Sequence, residues 1–135
     1  MKNANENTVS AVNQINATAD LSFLGDPNAP LKVLVVGNSI LRHSPKADIG
    51  WNNDWGMAAS AQDKDFVHRL YAKLTESGKN VYMRIRQCAE WEVGFLNEGI
   101  LKNYDGERDF RPDVFVFRLG ENVAEQNKPL FKDAM

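Results

Sequence analysis

Runs of apolar residues divide much of the chain into strands and helices. LKVLVV (31–36) is nearly all apolar, which predicts a strand covered on both faces. NVYMRIR (80–86) alternates apolar and polar residues and predicts a half-exposed strand. RPDVFVFRLG (111–120) predicts a third strand that begins at a proline.

Helical spacing connects these strands. Residues 63–77 predict a helix that Gly78 ends, and a second, less regular helix is expected around 91–103. The inward stripe of the first helix comprises Phe66, Val67, Leu70, Tyr71 and Leu74. Residues 40–60 lack a regular pattern and predict a long loop, which in a compact domain usually has a function. The order β-α-β-α-β predicts an α/β fold with a parallel sheet.

The amino-terminal segment differs from the rest. Residues 1–20 are polar and rich in asparagine, and GDPNAP (25–30) reads as a turn. We therefore predict a flexible arm over 1–30 and a folded domain over 31–135.

If the first predicted strand lies between the second and the third, the third strand forms an unusual edge of the sheet. The second strand, with Arg84 and Arg86, is the natural edge strand, whereas VFVF in the third strand is apolar on both faces. A bare edge of this kind is normally avoided. We expect this chain to be the front part of a longer doubly wound domain, truncated after the third strand. The alternative is that this edge pairs with another molecule, including a second copy.

Composition excludes several classes of protein. The 135 residues carry a net charge of −2 and no basic run, which argues against nucleic-acid binding. No apolar stretch approaches the ~20 residues of a membrane span, and no secretory signal is present, so the cytoplasm is the default expectation. The single cysteine, Cys88, excludes an internal disulfide and is expected to be a small buried residue.

Chemistry-bearing groups follow all three predicted strands. They are Gly37-Asn38-Ser39, Cys88-Ala89-Glu90 and Gly120-Glu121-Asn122. In an open α/β sheet, ligands bind beyond the carboxyl ends of the strands, where these groups should lie. Neither common glycine-rich phosphate-binding motif occurs.

With VLVVGNS and FRLGENV in this order, the chain resembles the SGNH (GDSL-type) serine hydrolases over residues 31–123. The family has G-D-S in the first block and G-x-N-D in the third, and Asn38 and Val123 depart from those patterns. The resemblance implies a three-layer α/β/α, doubly wound parallel sheet of the flavodoxin-like type.

The resemblance also implies roles for particular residues. Ser39 would attack an acyl carbonyl, and the Asn122 amide, the Ser39 N–H and a block-two N–H would stabilise the oxyanion. Ala89 is nearest to the block-two position, with Cys88 and Gly94 as alternatives. No metal or organic cofactor is implied. Acyl esters, with carbohydrate esters as the leading guess, are the expected substrates.

The general base is not assigned by the resemblance. In the family it comes from a D-x-x-H block after the last strand. Asp65-Phe66-Val67-His68 matches those letters but precedes the third block, and helical spacing directs His68 away from the apolar stripe into water. We interpret the Asp65–His68 match as a decoy, with His68 a solvated surface histidine, and His43 as a histidine that orders its loop. Asp63, Lys64 and Asp65 are expected to form a solvated first helical turn.

Other interpretations of the same residues remain open. Ser39 can be a helix N-cap and Asn122 can close a turn. Trp51 and Trp55 can form a platform for a sugar or acyl group, or can hold the loop to the domain. The chain as a whole can be a non-catalytic α/β module that binds a small ligand.

Overall fold

A computed structural model describes residues 20–135. Its four-stranded open sheet has the order β1-β3-β2-β4. The strands are β1 (Asp20–Gly25), β2 (Leu31–Gly37), β3 (Val81–Gln87) and β4 (Val114–Arg118). β2 runs parallel to both β3 and β4, so the α/β class and the parallel pairing of the three predicted strands, with the first predicted strand between the other two, are confirmed.

Four α-helices connect or follow these strands within the described residues. They are α1 (Phe66–Glu76), α2 (Ala89–Gly94), α3 (Asp105–Phe110) and α4 (Lys128–Ala134). Short 3-10 helices cover Ala47–Ile49, Gln62–Lys64, Glu98–Tyr104 and Glu125–Asn127. The helix predicted around 91–103 is instead divided between α2 and the 3-10 helix Glu98–Tyr104.

β1 is a strand that the sequence analysis missed. It pairs antiparallel with β3, from Asp20 opposite Gln87 to Gly25 opposite Tyr82. It therefore lies inside the segment predicted as a flexible arm, of which residues 1–19 are outside the described residues. The prediction that β3 is an edge strand is wrong, because β1 covers that edge.

The two arginines of β3 are also more enclosed than alternation predicted. Arg86 is buried, and Arg84 is largely covered. Glu107 of α3 accepts hydrogen bonds from Arg84 Nε (3.1 Å) and Nη2 (2.8 Å), and its Oε1 lies 3.8 Å from Arg86 Nε. A strand with charged residues on one face can be interior when a helix supplies the opposite charge.

Apolar residues alternate between the two faces of the sheet and build a core on each. Val33 and Val35 pack with Val67 of α1 on one face, whereas Leu34 and Val36 pack with Cys88 on the other. Leu70, Tyr71 and Leu74 join the first core as predicted, but Phe66 is exposed. Phe66 is the first residue of α1, so its side chain lies beyond the sheet that the later turns cover.

β4 has no partner strand on its outer side in residues 20–135. Val114, Phe115 and Phe117 are all exposed there, and the two phenylalanine rings contact each other edge to face at 5.9 Å. The predicted apolar edge is thus present in the described part of the chain.

Candidate active site at the carboxyl rim

Three parallel strands end side by side. Gly37 of β2 is the partner of Gln87 on β3 and of Arg118 on β4. We call this end of the sheet, with the residues that follow each strand, the carboxyl rim. Because the last residues of the three strands are paired with one another, the three segments predicted from the sequence as candidate site residues all leave the sheet at this rim.

Gly37 allows the strands to approach one another closely. A Cβ at this position would lie 2.6 Å from the Arg118 carbonyl oxygen and 2.5 Å from Leu41 Cδ1. The Gly37 carbonyl also accepts a hydrogen bond from the Cys88 N–H at 2.6 Å. The backbone behind the candidate nucleophile is therefore packed too tightly for any side chain.

Ser39 follows in a turn rather than at a helix N-terminus. Asn38 makes the capping interaction, since its Oδ1 accepts from the Ile40 N–H at 3.1 Å and its carbonyl from the Leu41 N–H at 3.0 Å. The Ser39 carbonyl accepts from the Met57 N–H at 2.9 Å, while the half-buried Ser39 hydroxyl bonds to no described residue. The N-cap interpretation of Ser39 is wrong.

Ala89 is at the rim but its N–H is already used. It donates to the side chain of Gln87 at 2.9 Å, and the neighbouring Cys88 N–H donates to Gly37. Two of the three block-two alternatives therefore direct their N–H groups into the protein. Gly94 is the last residue of α2.

Asn122 contacts Glu92, a buried residue that sequence reasoning did not identify. The Asn122 amide Nδ2 donates to Glu92 Oε2 at 2.6 Å, and its backbone N–H lies 3.4 Å from Oε1. Gly120 N–H donates to Oε1 at 2.5 Å, and Asn38 Nδ2 donates to Oε1 at 3.2 Å. The Glu92 cluster (Asn38, Glu92, Gly120 and Asn122) thus connects the first and third sequence blocks through one carboxylate.

The sequence around Glu92 contains a local indication that this residue is buried. It lies between Trp91 and Val93, only five residues after β3, and an acidic residue among apolar neighbours near a strand end indicates a buried partner. Gly120 adopts a φ of +133°, a conformation that favours glycine, and its N–H donates to this carboxylate.

Glu121 adds a second carboxylate beside Asn38. Its Oε2 accepts from Asn38 Nδ2 at 2.6 Å, and Arg118 pairs with Oε1 at 2.5 Å. Partial burial raises the pKa of the Glu121 carboxyl, but the hydrogen bonds from its own backbone and Asn38, together with Arg118, lower it by more. The Glu121 pKa is therefore below its ordinary value.

The two departures from the family pattern have physical reasons. An aspartate at 38 would place a third carboxylate within hydrogen-bond distance of Glu92 and Glu121, where Asn38 donates to both. Val123 is buried with Phe95 and Phe131 in an apolar core, where an aspartate would be an unpaired charge.

Asp65 and His68 form a helix-capping pair. Asp65 Oδ1 accepts from the His68 N–H at 2.7 Å, His68 Nδ1 lies 2.8 Å from Oδ2, and Gly56 N–H donates to Oδ2 at 3.1 Å. Asp65 is only 2 % exposed and the His68 side chain 22 %. Asp63 and Lys64 are exposed, as expected of a solvated turn. The expectation is wrong for Asp65, which is buried against the loop that precedes α1, and for His68, which is only partly exposed.

The loop tryptophans hold the loop together. Trp51 Nε1 donates to the carbonyl of His43 at 2.9 Å, and Trp55 Nε1 donates to that of Ala59 at 3.0 Å. Their rings contact each other edge to face at 6.0 Å. His43 is fully buried, with Nδ1 2.6 Å from the Ser44 carbonyl oxygen, as expected of a histidine that orders its loop.

An apolar cavity of about 310 Å³ lies between β2 and β4 on one side and α2, α3, the 3-10 helix Glu98–Tyr104 and the end of α4 on the other. Leu34, Cys88, Trp91 and Phe117 are among its lining residues, and neither Ser39 nor Asn122 is. Burial raises the pKa of the Cys88 thiol, with nearby Glu90 acting in the same direction. Cys88 is therefore a buried neutral thiol, as expected from the sequence.

Neither a metal centre nor a membrane-spanning helix is found among the described residues. Residues 20–135 contain no group of three or more histidine, cysteine, aspartate or glutamate side chains arranged to hold a metal ion. In that same part of the chain, none of the helices has the length and apolar character needed to cross a bilayer.

No protein-family model, curated protein or solved structure matches this chain. Its function is therefore inferred from the residues of the rim themselves.

Proposed function

We propose that this chain belongs to a serine esterase of the SGNH type, with the doubly wound, three-layer fold of that family. One observation carries the proposal. The Ser39 hydroxyl has no hydrogen-bond partner among the described residues and lies at the same rim as Asn122, whose amide commits one N–H to Glu92. A carboxamide nitrogen has two hydrogens, so one remains to bind a ligand oxygen.

The chemistry follows from these two groups. Ser39 Oγ forms a bond to the carbonyl carbon of an acyl ester, and its proton passes through solvent water to the oxygen of the alcohol that leaves. The second Asn122 N–H and the Ser39 N–H donate to the oxyanion of the intermediate. Collapse of this intermediate releases the alcohol and leaves an acyl-serine, which water hydrolyses. We assign no general base, because the Ser39 hydroxyl makes no hydrogen bond to a histidine within residues 20–135.

Acyl esters remain the proposed substrate class. A carbohydrate ester is less well supported than the esterase itself, since both loop indoles use their N–H groups within the loop. The sugar-platform interpretation would then depend on the ring faces alone.

A small-ligand-binding module is the second candidate. The Ala89 N–H, nearest to the block-two position, is occupied by Gln87, so one oxyanion donor of the family pattern is engaged elsewhere. In this alternative, Ser39 and Asn122 bind a polar ligand without reacting.

Labelling by a fluorophosphonate probe, followed by intact mass, distinguishes the two candidates. The esterase proposal expects one adduct on the wild-type chain, none on Ser39→Ala, and normal labelling of the control Ser60→Ala, an exposed loop serine. Asn122→Ala should label about 10²–10³-fold more slowly. A wild-type chain that stays unlabelled, or a Ser39→Ala chain that labels equally, would reject the esterase.

The outer edge of β4, which has no partner strand within residues 20–135, supports a further proposal. We propose that this edge pairs with another strand, in the simplest case from a second copy. Sedimentation analysis of wild type and Phe117→Lys tests it, since a charged edge residue opposes such pairing. A monomer at all concentrations for both chains would contradict pairing between copies.

A further inference from the structure

Glu92 is nearly inaccessible to solvent, at 1 % exposure, yet it belongs to a short helix directly behind the rim. All its hydrogen-bond partners in the described residues are neutral N–H groups. An ionised carboxylate only accepts hydrogen bonds, and these donors together stabilise it without a cation.

The direction of each hydrogen bond has consequences for Asn122. Its Nδ2 and the two attached hydrogens lie in the plane of the carboxamide. One hydrogen is directed at Glu92 Oε2 over 2.6 Å, and the Asn122 backbone N–H lies 3.4 Å from Oε1 of the same carboxylate. Together these two contacts restrict the rotation of the amide and hence the direction of the second N–H. Glu92 thereby determines where the remaining donor points.

The Glu92 carboxylate also contacts the turn that contains Ser39, through the side chain of Asn38. Asn38 donates one amide hydrogen to Glu92 and the other to Glu121, while its Oδ1 accepts from the Ile40 N–H. Every polar atom of the Asn38 side chain is thus used. The backbone on both sides of Ser39 is held by these bonds.

We propose that Glu92 is a positioning residue that sets the Asn122 donor and the Ser39 turn relative to each other. This inference rests on the proposed function, since the two groups it aligns are the proposed nucleophile and oxyanion donor. It also accounts for asparagine at position 38, because only a donor fits between the Glu92 and Glu121 carboxylates. Glu92 itself touches neither substrate nor reacting atoms in this mechanism.

Glu92→Gln tests the proposal with little change in volume. A glutamine keeps one accepting oxygen, which we expect to take the place of Oε1 because three of the four donors lie there. Its NH₂ group then faces the Asn122 amide nitrogen, which must turn away. We expect fluorophosphonate labelling of Ser39 to slow about 10²-fold, the usual cost of a misplaced catalytic group. Glu107→Gln is the matched control, because Glu107 is also buried but contacts Arg84 and Arg86 away from Ser39.

A second measurement is independent of activity. In ¹H–¹⁵N spectra, the Asn122 side-chain amide should show one protected hydrogen and the Asn38 amide two, in wild type and in Glu107→Gln. In Glu92→Gln, Asn122 should lose this protection and Asn38 should keep only the hydrogen bonded to Glu121. If wild type never reacts with the probe, the proposed function fails, while the spectra still report whether Glu92 holds both amides. Unchanged Asn122 and Asn38 amides in Glu92→Gln would overturn the positioning role.

Glu92→Asp covers the case in which the glutamine variant does not fold. Aspartate keeps the charge but withdraws the carboxylate by one methylene, so the hydrogen bonds lengthen or break. Slower labelling is expected here as well, by at least about tenfold on the same argument. A wild-type rate of labelling in Glu92→Asp, or an equal slowing in Glu107→Gln, would mean that Glu92 contributes only to the stability of the fold. Either result would overturn the proposal.

Discussion

Glu92 and Glu107 are two buried glutamates from helices on the same side of the sheet, with opposite kinds of partner. Glu107 is paired with the guanidinium groups of Arg84 and Arg86, which balance its charge. Glu92 is held by amide and backbone N–H groups from the two segments that follow β2 and β4.

The partners of Glu107 mainly balance its charge, whereas the partners of Glu92 mainly fix the geometry of hydrogen bonds. An ion pair tolerates small displacements, because Coulomb attraction falls slowly with distance. A hydrogen bond weakens steeply when its angle changes. The Glu107 network adds charge attraction to its hydrogen bonds with Arg84 and is suited to closing β3 beneath a helix. The Glu92 cluster consists of hydrogen bonds from neutral donors and is suited to orienting the groups of the rim.

The largest expected effect comes from breaking the ion-paired site. Glu107→Ala leaves the buried Arg86 and the largely covered Arg84 without this carboxylate and should lower the free energy of unfolding by about 3–5 kcal/mol. Urea unfolding measures the loss. Glu98→Ala, at an exposed position, is the control. A loss below about 1 kcal/mol, as for an exposed pair, would mean that water screens this network.

The next effect tests whether the Glu92 cluster requires a donor at position 38. Asn38→Asp should destabilise the protein by about 1–3 kcal/mol at neutral pH, because two hydrogen bonds become contacts between carboxylates. The loss should shrink in acid, where a protonated carboxyl at this position can donate again. Asn103→Asp, at an exposed position, should be nearly neutral. Equal stability of the two variants at pH 7 would contradict the arrangement.

A smaller effect concerns Cys88, whose thiol pKa is influenced by the charges of both glutamates. Burial is the main cause that raises this pKa, with Glu90 next. The unfolded thiol loses its proton near pH ~8.5 while the folded thiol keeps it, so the unfolded state binds fewer protons. Stability should therefore fall above that pH, by up to about 1.4 kcal/mol per pH unit.

Unfolding curves between pH 8 and 10 measure this slope. Cys88→Ala should remove most of it, and the remaining slope near pH 10 reflects Tyr104, whose phenol pKa is also raised by burial. Identical slopes for wild type and Cys88→Ala would show that the thiol is accessible to water.

The smallest effect belongs to a third carboxylate, Asp65. His68→Ala removes one partner but leaves the backbone N–H of residue 68 and that of Gly56 on the carboxylate. A stability loss of about 0.2–1 kcal/mol is expected, with labelling of Ser39 unchanged. Labelling abolished in His68→Ala would reverse the interpretation of Asp65 and His68 as a decoy and make His68 the base.

The sequence alone determined the parallel sheet and the position of the candidate groups. Apolar runs defined β2 and β4, alternation defined β3, and glycine-containing segments followed the strands. Because parallel strands end at one edge, local patterns were sufficient to bring Ser39 and Asn122 to the same rim.

Only the tertiary structure decided how the polar groups are paired. β1 is short and follows a polar segment, so its role depends on the hydrogen bonds that β3 offers. Glu107 looks like an ordinary surface acid in the sequence, and the donors that accompany the burial of Glu92 and Glu107 are distant along the chain. The energy of a buried charge is set by its partners in space, which local patterns do not encode.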